Sequence, residues 1–137
     1  MSRQFVFEKI IRDAIVDQMR SRGVTVFTRN LDHAEIVDKL KEKLSEEVQE
    51  VVASGTKEEL CQELGDVIEV VRALASRYSL SFQDIVEAAE SKKRDKGGFD
   101  TATYVTHISI PCDDPSFSGL IAYYEGRSKD YPEINPS

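Results

Sequence analysis

The stretch 44–70, "LSEEVQEVVASGTKEELCQELGDVIEV", holds two acidic patterns, "EEVQE" at 46–50 and "ELGD" at 63–66, on either side of a Gly55-Thr56 break. Each pattern spaces carboxylates three residues apart, which puts them on one face of a helix. Apolar residues recur at helical spacing through both halves, so the stretch predicts two helices joined by a short turn. In an antiparallel hairpin, residues equidistant from the turn lie side by side. The pairs Glu50/Glu63 and Glu47/Asp66 are both centred on the Thr56–Lys57 step. Four carboxylates are therefore expected to face one another, within one turn of each helix.

The burial of that face decides whether the acids matter. At about 100° per residue, Ile36, Val37, Leu40, Leu44, Val48, Val51 and Val52 form one apolar arc that contains Glu47 and has Glu50 at its edge. In the next helix Glu63 falls between Val70 and Leu74, and Asp66 falls beside Val70. A buried, unpaired carboxylate is strongly unfavourable, and like charges add repulsion. Lys43 and Lys57, the nearest lysines in sequence, are too few to offset four acids. A hard divalent cation offsets them, and oxygen-only ligation suits Mg²⁺, with Mn²⁺ as the alternative. Taken singly, either pattern reads as a solvated acidic face; the two together, mirrored about a capped turn and set into the apolar arc, do not. A di-iron bundle uses Glu-x-x-His pairs, and neither His33 nor His107 follows a Glu by three residues.

Working outward, four helices are expected before residue 100. The first runs from about Glu8 to Arg22, with Ile10, Ile11, Ile15 and Met19 as its apolar set and Gly23 as its stop. Lys9, Arg12 and Asp13 share a face of it. "VTVFT", 24–28, reads as a small strand or an extended connector. The second helix runs from about Asp32 to Ser54. "TKEE" reads as a capping box at the start of the third, which continues to about Tyr78, and "SFQD" repeats that logic before a fourth helix ending near Lys96. Lys92, Lys93, Arg94 and Lys96 crowd its end, either complementing the helix dipole or gripping phosphates. Phe99 follows as a plug for the bundle end or a platform for a base. Beyond it "TYVTHISI" has strand character, while Pro111, Pro115, Pro132 and Pro136 interrupt the rest. Residues 101–137 are expected to form an irregular appendage with a weakly ordered end, attached to a domain over 1–100.

The bulk numbers set the class. A chain of 137 residues is expected to be one domain able to bury a real core. A net charge of -7 argues against a nucleic-acid polymer as partner. Cys61 and Cys112 form neither a zinc-ligand spacing nor a disulfide framework. No signal peptide or membrane span is read, so a cytoplasmic setting is expected.

The two acidic motifs resemble the E-E-x-x-E … E-x-x-D signature of the all-α NTP pyrophosphohydrolases, the MazG-like superfamily. "KIIRD" at 9–13 and "KKRDKGGF" at 92–99 are similar to the flanking motifs of its phosphoribosyl-ATP pyrophosphohydrolase-like branch. The resemblance covers roughly residues 8–100. It implies an all-α fold in which a helical hairpin forms a four-helix bundle completed by a second subunit. It also implies Mg²⁺-dependent cleavage of a nucleoside triphosphate between the α- and β-phosphates. On this likeness Glu47, Glu50, Glu63 and Asp66 are the metal ligands, and Glu46 and Glu47 the catalytic acids, Glu46 positioning water. Lys9, Arg12, Lys93, Arg94 and Lys96 are the substrate-binding cations. Homodimers or homotetramers are implied, and the wide apolar arc of the third helix points the same way. Two departures bear on the substrate: Ala14, Ile15 and Val16 stand where the branch has Lys and then Ile-Pro, and Lys96 where it has Arg. The competing reading is a non-catalytic helical module for nucleotide binding or oligomerisation.

Overall fold

The computed structural model describes residues 1–134, and within them every regular element is helical. The helices are α1 (Asp13–Ser21), α2 (His33–Ala53), α3 (Lys57–Ser76), α4 (Phe82–Lys96) and α5 (Ser118–Glu125), with a 3₁₀ turn at Pro115–Phe117. Two compact units are distinguished, one over Met1–Gly97 and one from Gly98 onward.

In the first unit, caps fix the helix boundaries. The Asp32 side chain accepts from the Glu35 N–H at 2.8 Å while the Asp32 N–H donates to the Glu35 carboxylate at 3.1 Å, closing a capping box at the start of α2. Thr56 accepts from the Glu59 N–H at 3.1 Å to start α3, but the Glu59 carboxylate takes the Gly55 N–H, at 2.8 Å, instead of that of Thr56. The interhelical turn is thereby tied at both ends. Ser81 and Asp84 complete the box that opens α4, which Gly97 ends at φ 82. The expected boundaries of α2 and α4 differ from these by no more than a residue.

The hairpin of α2 on α3 is the main tertiary contact. Val37 and Leu40 of α2 and Val70 and Ala75 of α3 are its buried apolar side chains. α4 meets α3 near their shared turn, where the Arg72 guanidinium lies 4.0 Å over the Phe82 ring. Val71, Leu74, Ala75, Tyr78, Leu80 and Ile85 line an apolar cavity of about 240 Å³ at that junction.

Three expectations are corrected. The first helix begins at Asp13, not Glu8, because Arg12 is extended (φ -61, ψ 138) and Glu8 turns into the left-handed region (φ 47). Ile10, Ile11, Lys9 and Arg12 thus belong to an extended arm, and Lys9 and Arg12 share no helix face with Asp13. Residues 103–110 form no strand, and 24–28 are the connector and not the strand of the two readings, since neither stretch makes ladder hydrogen bonds with another segment. In the second unit, the expected irregularity is broken by α5, introduced by Asp114, whose side chain accepts from the Ser116 N–H at 2.9 Å, and by Pro115 in the first turn. There Tyr124 meets Tyr123 and Tyr131 edge-on, with centroids 5.1 and 5.0 Å away. The expected break at Pro136, and the weak order expected at the chain end, lie outside the described residues.

Leu40→Ala is expected to destabilise the first unit by about 2–5 kcal/mol, as large-to-small changes at packed sites do. Urea denaturation followed by circular dichroism checks this, and an unchanged midpoint contradicts the hairpin packing.

Candidate functional site

The turn register sets acids of α2 against acids of α3, as mirror pairing about the Thr56–Lys57 step requires. Glu47, Glu63 and Asp66 each offer a carboxylate oxygen within 4.8 Å of the others. Glu47 is the only buried charged residue among the described residues, 8% exposed, as expected from its place within the apolar arc. Glu63 and Asp66 are half-buried. Glu50 sits at the edge of the arc and is exposed; it lies outside the group of three.

Cations from two parts of the chain enter this centre. Lys43, one turn before the acids on α2, donates to Glu47 at 2.9 Å and to Glu46 at 3.3 Å. Lys9 donates to Glu46 at 3.2 Å, and Arg12 donates to Asp66. Glu46 thus lies between two lysines on the side of the arm, while Glu47 is buried beside the acids of α3. Lys43, weighed from the sequence only as an insufficient counter-ion, is the cation that bonds both Glu46 and Glu47. Its signal was present in the i+3 and i+4 spacing to Glu46 and Glu47, which places all three on one side of α2.

The electrostatics follow from these pairings. The hydrogen bond from Lys9, then that from Lys43, holds the Glu46 carboxyl below its ordinary range. Burial pulls the Lys43 ammonium down, but its bonds to Glu47 and Glu46 outweigh this and hold it above its ordinary value. Glu63 has no bonded cation among the described residues. Loss of solvent first, then the charges of Asp66, Glu50, Glu47 and Glu59, push its carboxyl up.

The remaining predicted residues lie apart from the acids' ion pairs. Lys93, Arg94 and Lys96 occupy the last turn of α4, exposed and without an ion pair among the described residues. They complement the helix dipole there. Phe99 is exposed. Beside the centre, Phe7, Glu8, Lys9 and Ile10 of the arm and Lys39, Glu42, Lys43 and Glu46 of α2 line a cavity of about 170 Å³.

A donor set of three carboxylates from two helices, with no nitrogen or sulfur ligand, fits a small hard cation better than zinc or iron. Residues 34–99, spanning α2 to α4, match the model of a family described as the MazG nucleotide pyrophosphohydrolase domain. This segment belongs to the MazG-like all-α superfamily. No curated protein and no solved structure matches the chain. The matched segment contains both acidic motifs, Lys43 and the basic end of α4; Lys9 and Arg12 precede it. No helix of the MazG-like segment, or elsewhere among the described residues, is long and apolar enough to cross a membrane.

Glu63→Gln is expected to raise the melting temperature in EDTA at neutral pH. A carboxyl raised by folding contributes stability at low pH that is lost as pH rises through the raised value. The unsubstituted protein should therefore lose stability just above the ordinary Glu range relative to the variant, and the two should converge below it. Melting curves from about pH 3.5, just below the ordinary carboxyl range, up to neutral pH test the sign; a variant less stable at neutral pH contradicts it.

Proposed function

We propose that the chain is a divalent-metal-dependent nucleoside triphosphate pyrophosphohydrolase, releasing pyrophosphate and leaving a nucleoside monophosphate. The observation that carries this reading is the convergence of Glu47, Glu63 and Asp66 at the hairpin register of a MazG-like segment. These three, with Glu50 at the rim, are the residues that would hold Mg²⁺ or Mn²⁺. Such an ion, when bound, supplies charge neutralisation at the phosphate oxygens.

The chain's own groups divide the remaining tasks. Glu46, which keeps Lys43 as a partner when Lys9 turns to phosphate, orients the attacking water and accepts its proton. Glu47 is catalytic only as a ligand that fixes the site, since its carboxylate is turned inward and held by Lys43. Lys9 and Arg12, already at the acids, and Lys93, Arg94 and Lys96 at the end of α4 grip the outer phosphates, which become the leaving group. The sequence has no G-x-x-x-x-G-K-[ST] loop to cradle a triphosphate, which favours attack at the α-phosphate over a P-loop mode of γ-phosphate release.

Residues 1–100 form the catalytic domain in this reading, and 101–137 an extension. The enzyme acts on a nucleotide, not a nucleic-acid polymer or a membrane. It works in the cytoplasm, where the exposed free thiols of Cys61 and Cys112 stay reduced. It works as a homodimer or homotetramer built through α2 and α3, because Val48, Val52, Leu60, Leu64 and Ile68 of the hairpin are left 39–81% exposed.

With Mg²⁺ and a panel of nucleoside triphosphates, phosphorus NMR is expected to show pyrophosphate as the first product. Glu46→Gln is expected to slow turnover by about 10²–10⁴-fold with the metal still bound, whereas Glu47→Gln abolishes metal binding. Orthophosphate appearing first contradicts the mechanism, and no hydrolysis of any nucleotide favours the non-catalytic module. Sedimentation is expected to give a dimer or tetramer at micromolar concentration. An active, compact monomer contradicts the assembly.

A further inference from the structure

Residues 1–12 have no helix or strand, yet two of their side chains make long-range ion pairs into the acidic centre. Lys9 reaches Glu46, 37 residues away, and Arg12 reaches Asp66, 54 residues away. The arm is seated by Ile10 and Ile11, both half-buried, while Phe5 and Val6 before them stand exposed. Glu8, immediately before Lys9, adopts the left-handed conformation (φ 47) that non-glycine residues rarely hold. Next to that kink, Lys9 bonds Glu46, and both line the arm–α2 cavity.

Two of the three clustered carboxylates therefore already bond a cation: Glu47 bonds Lys43, and Asp66 bonds Arg12. A metal ion at these oxygens competes with those groups for the same lone pairs and repels them. The two competitors differ in freedom. Lys43 stands on α2 and keeps Glu46 as a second partner. Arg12 stands on the arm, and Asp66 is its one ion-pair partner among the described residues. Arg12 is therefore the group that yields.

Resting on the function proposed above, we infer that the N-terminal arm is a counter-ion strap. In the metal-free protein Lys9 and Arg12 hold the carboxylates. When metal and nucleotide enter together, both side chains exchange carboxylate for phosphate and the arm closes over the nucleotide. Linkage gives the arm opposite effects on the two ligands: it disfavours the bare metal, which displaces it, and favours the metal–nucleotide complex, which gives it a new partner. A purely structural arm would shift both affinities the same way.

The test uses the full chain and titration calorimetry, first with Mn²⁺ alone and then with Mn²⁺ plus a non-hydrolysable α,β-methylene nucleoside triphosphate. Arg12→Gln is expected to tighten Mn²⁺ binding about two- to fivefold, the scale of an exposed ion pair. It is expected to weaken binding of the nucleotide complex by about tenfold, the scale of a charge-assisted bond to phosphate. Lys9→Gln/Arg12→Gln should enlarge both changes. Trypsin provides a readout on the unsubstituted protein, since it cuts after Lys9 and Arg12. Mn²⁺ alone should speed those cuts, and the nucleotide analogue should slow them. If both affinities fall together in Arg12→Gln, or neither moves and the cuts ignore both ligands, the strap is refuted while the metal centre stands. If the unsubstituted protein binds no Mn²⁺, the metal centre falls and takes the strap with it.

Discussion

The buried carboxylate of Glu47 is the constraint on which the rest of the first unit depends. It lies on the side of α2 that packs against α3, where solvent cannot neutralise it. An ion in that position persists only with partners in good geometry. Lys43 supplies one from the preceding turn, and it also bonds the adjacent Glu46, which lies on the side of the arm. α3 then adds Glu63 and Asp66 to the same place. Arg12 answers Asp66 and Lys9 answers Glu46, so the charge left over falls on Glu63. The raised carboxyl of Glu63 is the local expression of that imbalance.

Such an arrangement requires a fixed register between α2 and α3, and the turn supplies it. Ser54 closes α2 by donating its hydroxyl to the Val51 carbonyl at 2.7 Å. Glu59 then ties back to Gly55 as Thr56 caps α3, so the helices are joined by three residues with little freedom. Sliding one helix by a single residue would rotate its face by about 100°. Glu47 would then lie against apolar side chains with no acid of α3 opposite. The same short turn that gives a stable hairpin therefore also builds the site, and local capping chemistry is a cause of long-range function.

This coupling explains what was legible from residues alone. α2, α3 and α4 carry their start signals in single residues, Asp32, Thr56 and Ser81, and their hydrogen bonds are local, so the boundaries could be read. The mirror relation of the acids is also local geometry, counted outward from the turn. The arm was misread because Ile10 and Ile11 continue an apolar period that suits a helix, while Lys9 and Arg12 are drawn to partners on α2 and α3. Ion pairs across such separations leave no periodic trace. α5 was missed for another reason. Its apolar run, Leu120 to Tyr124, is nearly continuous, so it lacks the alternation of faces that marks an amphipathic helix. Glu50 shows the limit of mirror counting: it has the correct register, but it is exposed and lies outside the group of three acids that meet, while its charge still acts on Glu63.

The apolar face of the hairpin bears on the acidic centre as well as on assembly. Val37, Leu40, Val70 and Ala75 are few side chains for a core, while Val48, Val52, Leu60, Leu64 and Ile68 stand open to solvent. These exposed residues are interleaved in sequence with Glu47, Glu50, Glu63 and Asp66, so the face and the acids occupy the same stretch of both helices. Covering the face with a second hairpin removes water from the neighbourhood of the carboxylates. Their repulsion then acts in a lower dielectric and strengthens. The charge on Glu63, tolerable beside solvent, becomes harder to sustain without a cation. In the assembly proposed above, burial of apolar surface and demand for a metal ion therefore rise together, and each subunit's contribution to its partner is partly the removal of water from the partner's acids.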